Sequence, residues 1–175
     1  MSGQTTQLRG INTSPALWKS LKSSSLDPSV SLKQWAVDGW LRPHRTSREE
    51  INNLLSIVDR DLLDARRDIS PDWRFGIAYN AALKLCTILL YAEGYRPSRE
   101  SQHYRTLAAL PEILGEVKKV DAEYLDDCRK KRNIVEYDYV GGASESDADE
   151  LIGFVKEFKD EVVTWLNKNH PELLP

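Results

Sequence analysis

Leu125, Cys128, Arg132, Val135 and Tyr139 are spaced three, four, three and four residues apart. At about 100° per residue, seven helical residues return to within about 20° of the starting direction. The spacing therefore predicts that Arg132 points along an apolar seam, where a guanidinium is costly unless something pairs with it. Glu136, one turn on, would supply an i,i+4 ion pair. A phosphate would accept a bidentate fork of N–H donors instead. The run Arg129-Lys130-Lys131-Arg132 makes this helix end basic. Arg99, His103, Arg129, Lys130, Arg132 and Asn133 form a candidate RNA-binding set, with Tyr95, Tyr104 or Tyr137 as stacking surfaces for unpaired bases. The interleaved acids Asp126, Asp127 and Glu136 lower the local potential, and the ordinary alternative is a solvated charged face.

The elements that must position these residues can be read from the rest of the chain. It has 175 residues, 41% hydrophobic and 29% charged, which suits one core plus a short extension. The formal net charge of −3 gives no global positive field, so an anionic partner must be held by a local patch. Cys86 and Cys128 both fall in helical patterns and read as buried thiols of a reducing cytosol, not as a disulfide or a metal pair. The N-terminus lacks the basic-then-apolar layout of a signal peptide. The longest apolar run, around Leu85–Ala92, is short for a bilayer span. These features predict a cytoplasmic protein without membrane contact. No zinc spacing, glycine-rich phosphate loop or nucleophile elbow is present, so neither a metal nor a cofactor is expected.

Residues 1–45 read as an arm, with Leu17–Trp18 as an anchor and a short helix over 31–41 that Pro43 ends. Residues 46–170 read as a helical bundle. Thr46 or Ser47 opens its first helix, each matching a capping box with Glu49 or Glu50. Ile51, Leu54, Leu55, Val58, Leu62 and Ala65 form the apolar stripe, which leaves Asp59, Arg60, Asp61, Arg66 and Arg67 toward solvent. Ser70–Pro71 starts a helix running to about 93 that becomes apolar all round over 85–92. It is either the central helix of a bundle or part of a dimer interface. Gly94 terminates it. A polar loop over 95–101 leads to a helix over 101–115 that Pro111 kinks or breaks. Asp121 then caps the basic helix, Gly141-Gly142 closes it, and Ser146 caps a long last helix that ends before Pro171. No strand pattern is evident. The fold class is all-α: a bundle of about five helices with an up-and-down core and a short extra N-terminal helix.

Arg132-Asn133-Ile134-Val135-Glu136-Tyr137-Asp138-Tyr139 resembles the signature helix of HEPN domains. In that family an Arg and a polar residue are followed four to six residues on by a His, often with a Tyr two positions later. Leu89-Leu90-Tyr91-Ala92-Glu93-Gly94 is similar to the end of the family's second long helix. Ser101-Gln102-His103-Tyr104 resembles the Ser/His loop that opens the next one. The resemblance covers roughly 47–168. It implies a HEPN-like bundle, and a homodimer in which two protomers build one cleft. In HEPN ribonucleases Arg and His surround the scissile phosphate without a metal. Here Tyr137 stands where that His belongs, so the catalytic candidates are Arg132 and Tyr137. A phenol with an ordinary pKa of about 10 is a poor general base at neutral pH. His103 would substitute only if the fold brings it to the same cleft. Tyr139 matches the tyrosine that receives a nucleotide in HEPN partners of minimal nucleotidyltransferases. The resemblance thus implies an RNA-associated protein of toxin–antitoxin or defence type with weak or absent ribonuclease activity. Two other readings stand beside it. One is a non-catalytic adaptor or dimerisation module using Trp18, Trp35 and Trp40. The other is a nucleotidyltransferase partner modified at Tyr139.

Overall fold

Ser70 and Pro71 start the helix around which the others pack. The computed structural model describes residues 28–138 and 140–175, with the backbone alone described at 28–30. Leu17, Trp18 and Tyr139, singled out above, lie outside the described residues. In chain order the elements are α1 (Pro28–Val37), β1 (Leu41–Pro43), α2 (Arg48–Asp64), α3 (Pro71–Ala92) and β2 (Tyr95–Pro97). They continue with α4 (Gln102–Ala108), α5 (Leu110–Leu114), α6 (Lys119–Tyr137) and α7 (Glu145–Asn169). Short 3-10 turns cover Glu116–Lys118 and Pro171–Leu173.

Helix α3 is the centre. Phe75, Ala78, Tyr79, Leu85, Cys86, Ile88, Leu89 and Leu90 are all buried along it, and it packs on α2, α4, α6 and α7. Its length and composition would also suit a bilayer span, but most of that apolar surface is buried against the other helices. Ser70 caps its start, accepting the Trp73 amide at 3.4 Å. At its end Gly94 takes a left-handed backbone (φ +88°), which an L side chain rarely adopts. Burial pushes the Cys86 thiol up to about 12 and the Cys128 thiol up to about 11, so both are unreactive core groups.

Several local readings change. Ser47 caps α2 as expected, accepting the Glu50 amide at 3.1 Å. The Glu50 carboxylate does not return to the cap. It accepts from the Thr46 hydroxyl at 2.7 Å and from His44 Nε2 at 2.8 Å. Partial burial opposes ionisation there, but these two partners hold the carboxyl below its usual range. Asp61 does not face solvent. It is only 4% exposed and accepts from Asn80 Nδ2 and from Arg60. Helix α6 starts two residues before Asp121, which instead binds Lys118, and it ends at Tyr137, ahead of Gly141-Gly142. Ser144, not Ser146, caps α7, closing a reciprocal box with Asp147. Pro111 breaks the expected 101–115 helix into α4 and α5.

The largest departure is a small antiparallel sheet. Leu41 pairs with Pro97, Arg42 with Arg96 and Pro43 with Tyr95. Three residues per strand are too few to display alternation, and a proline on a two-stranded ribbon sits where no ladder donor is needed. The short N-terminal helix and β1 join the common core through Leu32 and Leu41, both fully buried.

The loop after α6 is tied back to the start of α3. The Asp72 carboxylate accepts the Gly141 amide at 2.6 Å and the Ala143 amide at 2.9 Å. Two residues on, Arg74 donates to the Ala65 carbonyl and pairs with Glu145 and Asp149 of α7. Hydrogen bonds to a charged acceptor contribute roughly 1.5–3 kcal/mol, so Asp72→Ala should lower unfolding free energy by about 2 kcal/mol. Urea denaturation measures this, and amide exchange at Gly141 and Ala143 should accelerate in the same variant.

Candidate functional site

Helix α6 sends its basic side chains in different directions. Lys131 leans toward α7, where it pairs with Asp147 at 2.6 Å and lies over the Phe75 ring. That pair, with bonds from Ser144, holds the Asp147 carboxyl down at about 2. Lys130 turns the other way and is occupied by Asp126 (2.9 Å) and Asp127 (3.1 Å). It lines a groove whose other charges are mostly acidic, including Glu112, Glu116 and Glu123.

Arg132 lies on the core side of α6, as the seven-residue spacing predicts, with its side chain 28% exposed. Its guanidinium pairs with Glu136 at 2.5 Å, the local partner expected from sequence, and touches Asn133 Oδ1 at 3.5 Å. Arg132 and Glu136 border a pocket of about 580 Å³ between the end of α2, the start of α3 and the end of α6. Trp73, Ile77, Val135 and Val140 give this pocket apolar walls, and Asp61 and Asn80 add polar lining. Tyr137 is 73% exposed and lines neither this pocket nor the groove described next.

On the adjoining face, Arg99, Ser101, Gln102, His103, Tyr104, Arg129 and Asn133 line an open groove of about 630 Å³. The loop after β2 and the first turn of α4 supply the first five, and α6 supplies the last two. Ser101 turns the chain into α4 through a left-handed backbone (φ +50°), an uncommon setting for a residue other than glycine. Arg129 donates from Nε to Asp126 at 2.8 Å, and its guanidinium sits 5.9 Å from the Tyr104 ring centre. Its terminal nitrogens have no hydrogen-bond partner among the described residues, and neither does the Arg99 side chain. No carboxylate lines the groove among the described residues.

The three histidines are not equivalent. His44 is bonded to Glu50, and His170 to Glu93 at 3.0 Å. His103 has no such acceptor among the described residues. Its ring lies 6.3 Å from that of Tyr79, whose buried hydroxyl is itself without a partner among them. Partial burial lowers the His103 pKa, and so do the nearby charges of Arg132, Lys84 and Arg129. These causes favour the neutral imidazole over the imidazolium.

The structure thus brings Arg99, His103, Arg129 and Asn133 into one groove. It places Arg132 in the neighbouring pocket, with its field still reaching His103, and it keeps Lys130 and Tyr137 apart from them. Lys84, Trp73 and Asn80 carry no local sequence signal for these sites. They arrive there because α3 lies under both.

Protonated His103 is disfavoured in the folded chain, so this group contributes stability that is fully present above its ordinary pKa and is lost as pH falls from there through the lowered folded-state value. Arg132→Gln should move the His103 titration up toward about 6.5, and by more than Arg129→Gln does. The imidazole proton resonances across pH 4.5–8.5 report this directly. The chain matches no family model, no curated protein and no solved structure, so its functional reading rests on the chemistry of these grooves.

Proposed function

We propose that this protein is a HEPN-like, RNA-associated member of a toxin–antitoxin or defence-type system that holds RNA in the Arg99–Arg129 groove. The carrying observation is the groove's lining among the described residues: two guanidiniums with unpaired terminal donors, an imidazole and an amide, with no carboxylate in the lining and Asp126 taking only the Nε of Arg129. Guanidinium forks suit phosphate oxygens, and Tyr104 offers an aromatic surface beside them. Arg132, paired with Glu136, contributes to the field behind the groove. Cleavage is weak or absent in this reading, because the tyrosine at the motif position is not part of the groove's lining. Replacing Arg99 and Arg129 together by Gln should weaken binding of a single-stranded oligoribonucleotide by about tenfold or more. It should also flatten the salt dependence, by roughly 0.7 in log–log slope for each phosphate that is no longer neutralised. Unchanged affinity in a folded double variant would overturn the reading.

The same reading includes a homodimer, and the pocket beside Arg132 supports a place for the second copy. Trp73 is 69% exposed and Val140 92% exposed at its edge, an arrangement costly in water and ordinary in an interface. A tryptophan at such a position is a typical anchor whose truncation costs about 2 kcal/mol or more. Trp73→Ala should therefore shift sedimentation equilibrium toward monomer by more than about tenfold in Kd. A monomeric parent protein would reject this placement.

A further inference from the structure

Resting on the reading of the Arg99–Arg129 groove as a phosphate site, we infer that phosphate binding there is coupled to uptake of one proton by His103. The geometry carries this. His103 lines the groove itself, with Arg99 and Arg129 on the same lining. Its ring nitrogens have no hydrogen-bond partner among the described residues, whereas His44 and His170 are both held by carboxylates. An anion entering the groove would give the imidazole a charged acceptor that none of the described residues supplies.

The charges that act most strongly on His103 favour this sign. Helix α3 contributes Lys84 and the uncharged Tyr79, and α6 contributes Arg129 and Arg132. Within its own segment, Arg99 lines the groove, while Arg105 reaches away to the Trp40 carbonyl. Helix α5 contributes Glu112, which lines the groove on the other side of Tyr104. Strand β2 contributes Arg96, whose field falls on Glu50 and Tyr91. Asp126, on α6, is bound to Arg129 and Lys130 and is kept ionised by them. Cations thus dominate around the ring and keep it neutral. A phosphodiester places negative charge among them and reverses the balance, so the ring takes a proton from solvent and donates it to a phosphate oxygen in a hydrogen bond.

Linkage fixes the sign of the consequence. A ligand that raises the pKa of a group binds more tightly as pH falls through that range, by no more than about tenfold per pH unit for one proton. Phosphodiesters do not titrate between about pH 5.5 and 7.5, so labelled decauridylate is a clean probe. Fluorescence anisotropy at constant ionic strength should give roughly tenfold tighter binding at pH 5.5 than at pH 7.5. His103→Gln, which keeps a donor but cannot take up a proton, should bind decauridylate equally at pH 5.5 and pH 7.5, whatever its affinity relative to the parent. The His103 ring resonance should titrate at higher pH with decauridylate than without it. A flat profile in the parent protein, or an undiminished one in His103→Gln, overturns the coupling and leaves the RNA reading standing. No binding at either pH overturns the RNA reading itself.

Discussion

Over Leu85–Leu90, helix α3 has no open face to show to water. Leu85, Ile88, Leu89 and Leu90 are fully buried on different sides of it, and each such side chain contributes about 1.5–3 kcal/mol on removal from solvent. Every neighbour must therefore turn an apolar face inward: Ile51, Val58 and Leu62 from α2, Leu125 and Cys128 from α6, and Leu151, Val155 and Phe158 from α7. This requirement fixes the rotation of α6 about its own axis. Once Leu125 and Cys128 face α3, Arg132 must lie beside the core, and Arg129 and Asn133 must fall on the side that meets α4. The exception inside this wall is Asp61, which is tolerated because Asn80 and Arg60 satisfy its oxygens.

The same rotation sorts the charges. Arg74, Lys118, Lys131, Arg132 and Lys159 each have a carboxylate partner, so most of the positive charge on these helices is neutralised within the fold. Against this background the Arg99–Arg129 groove is distinctive for its lining rather than for its number of cations. A net charge of −3 is compatible with it because the neighbouring acids are bound to other partners or line the opposite side of Tyr104. Local potential, not total charge, decides where an anion can rest.

What was legible in the sequence follows from the range of each interaction. The place of Arg132 and its bond to Glu136 depend on one helical period, and both were readable. So were the Ser47 and Ser70 caps and the all-round burial of α3, which are properties of adjacent residues. The start of α7 was ambiguous because Ser144 with Asp147 and Ser146 with Asp149 satisfy the same spacing. Asp61 was misread because its partner Asn80 belongs to another helix. The sheet escaped because each strand is only three residues long. The groove was half legible: its residues could be named, but only the packing of α4 on α6 joins Arg99 and His103 to Arg129 and Asn133 while excluding Lys130.

The pairing of β1 with β2 also determines what the smallest self-sufficient piece of this chain can be. Beyond the ladder, the Ser98 amide donates to the Trp40 carbonyl at 2.9 Å, and the Ser98 hydroxyl donates to the Gly39 carbonyl at 2.6 Å. Arg99 follows directly, so the rim of the groove is anchored by residues far upstream in the chain. A chain beginning at residue 46 would lack those acceptors and would uncover the core surface that Leu32 and Leu41 now close. Excising the long helices alone would thus alter the shape of the groove without touching any residue that lines it.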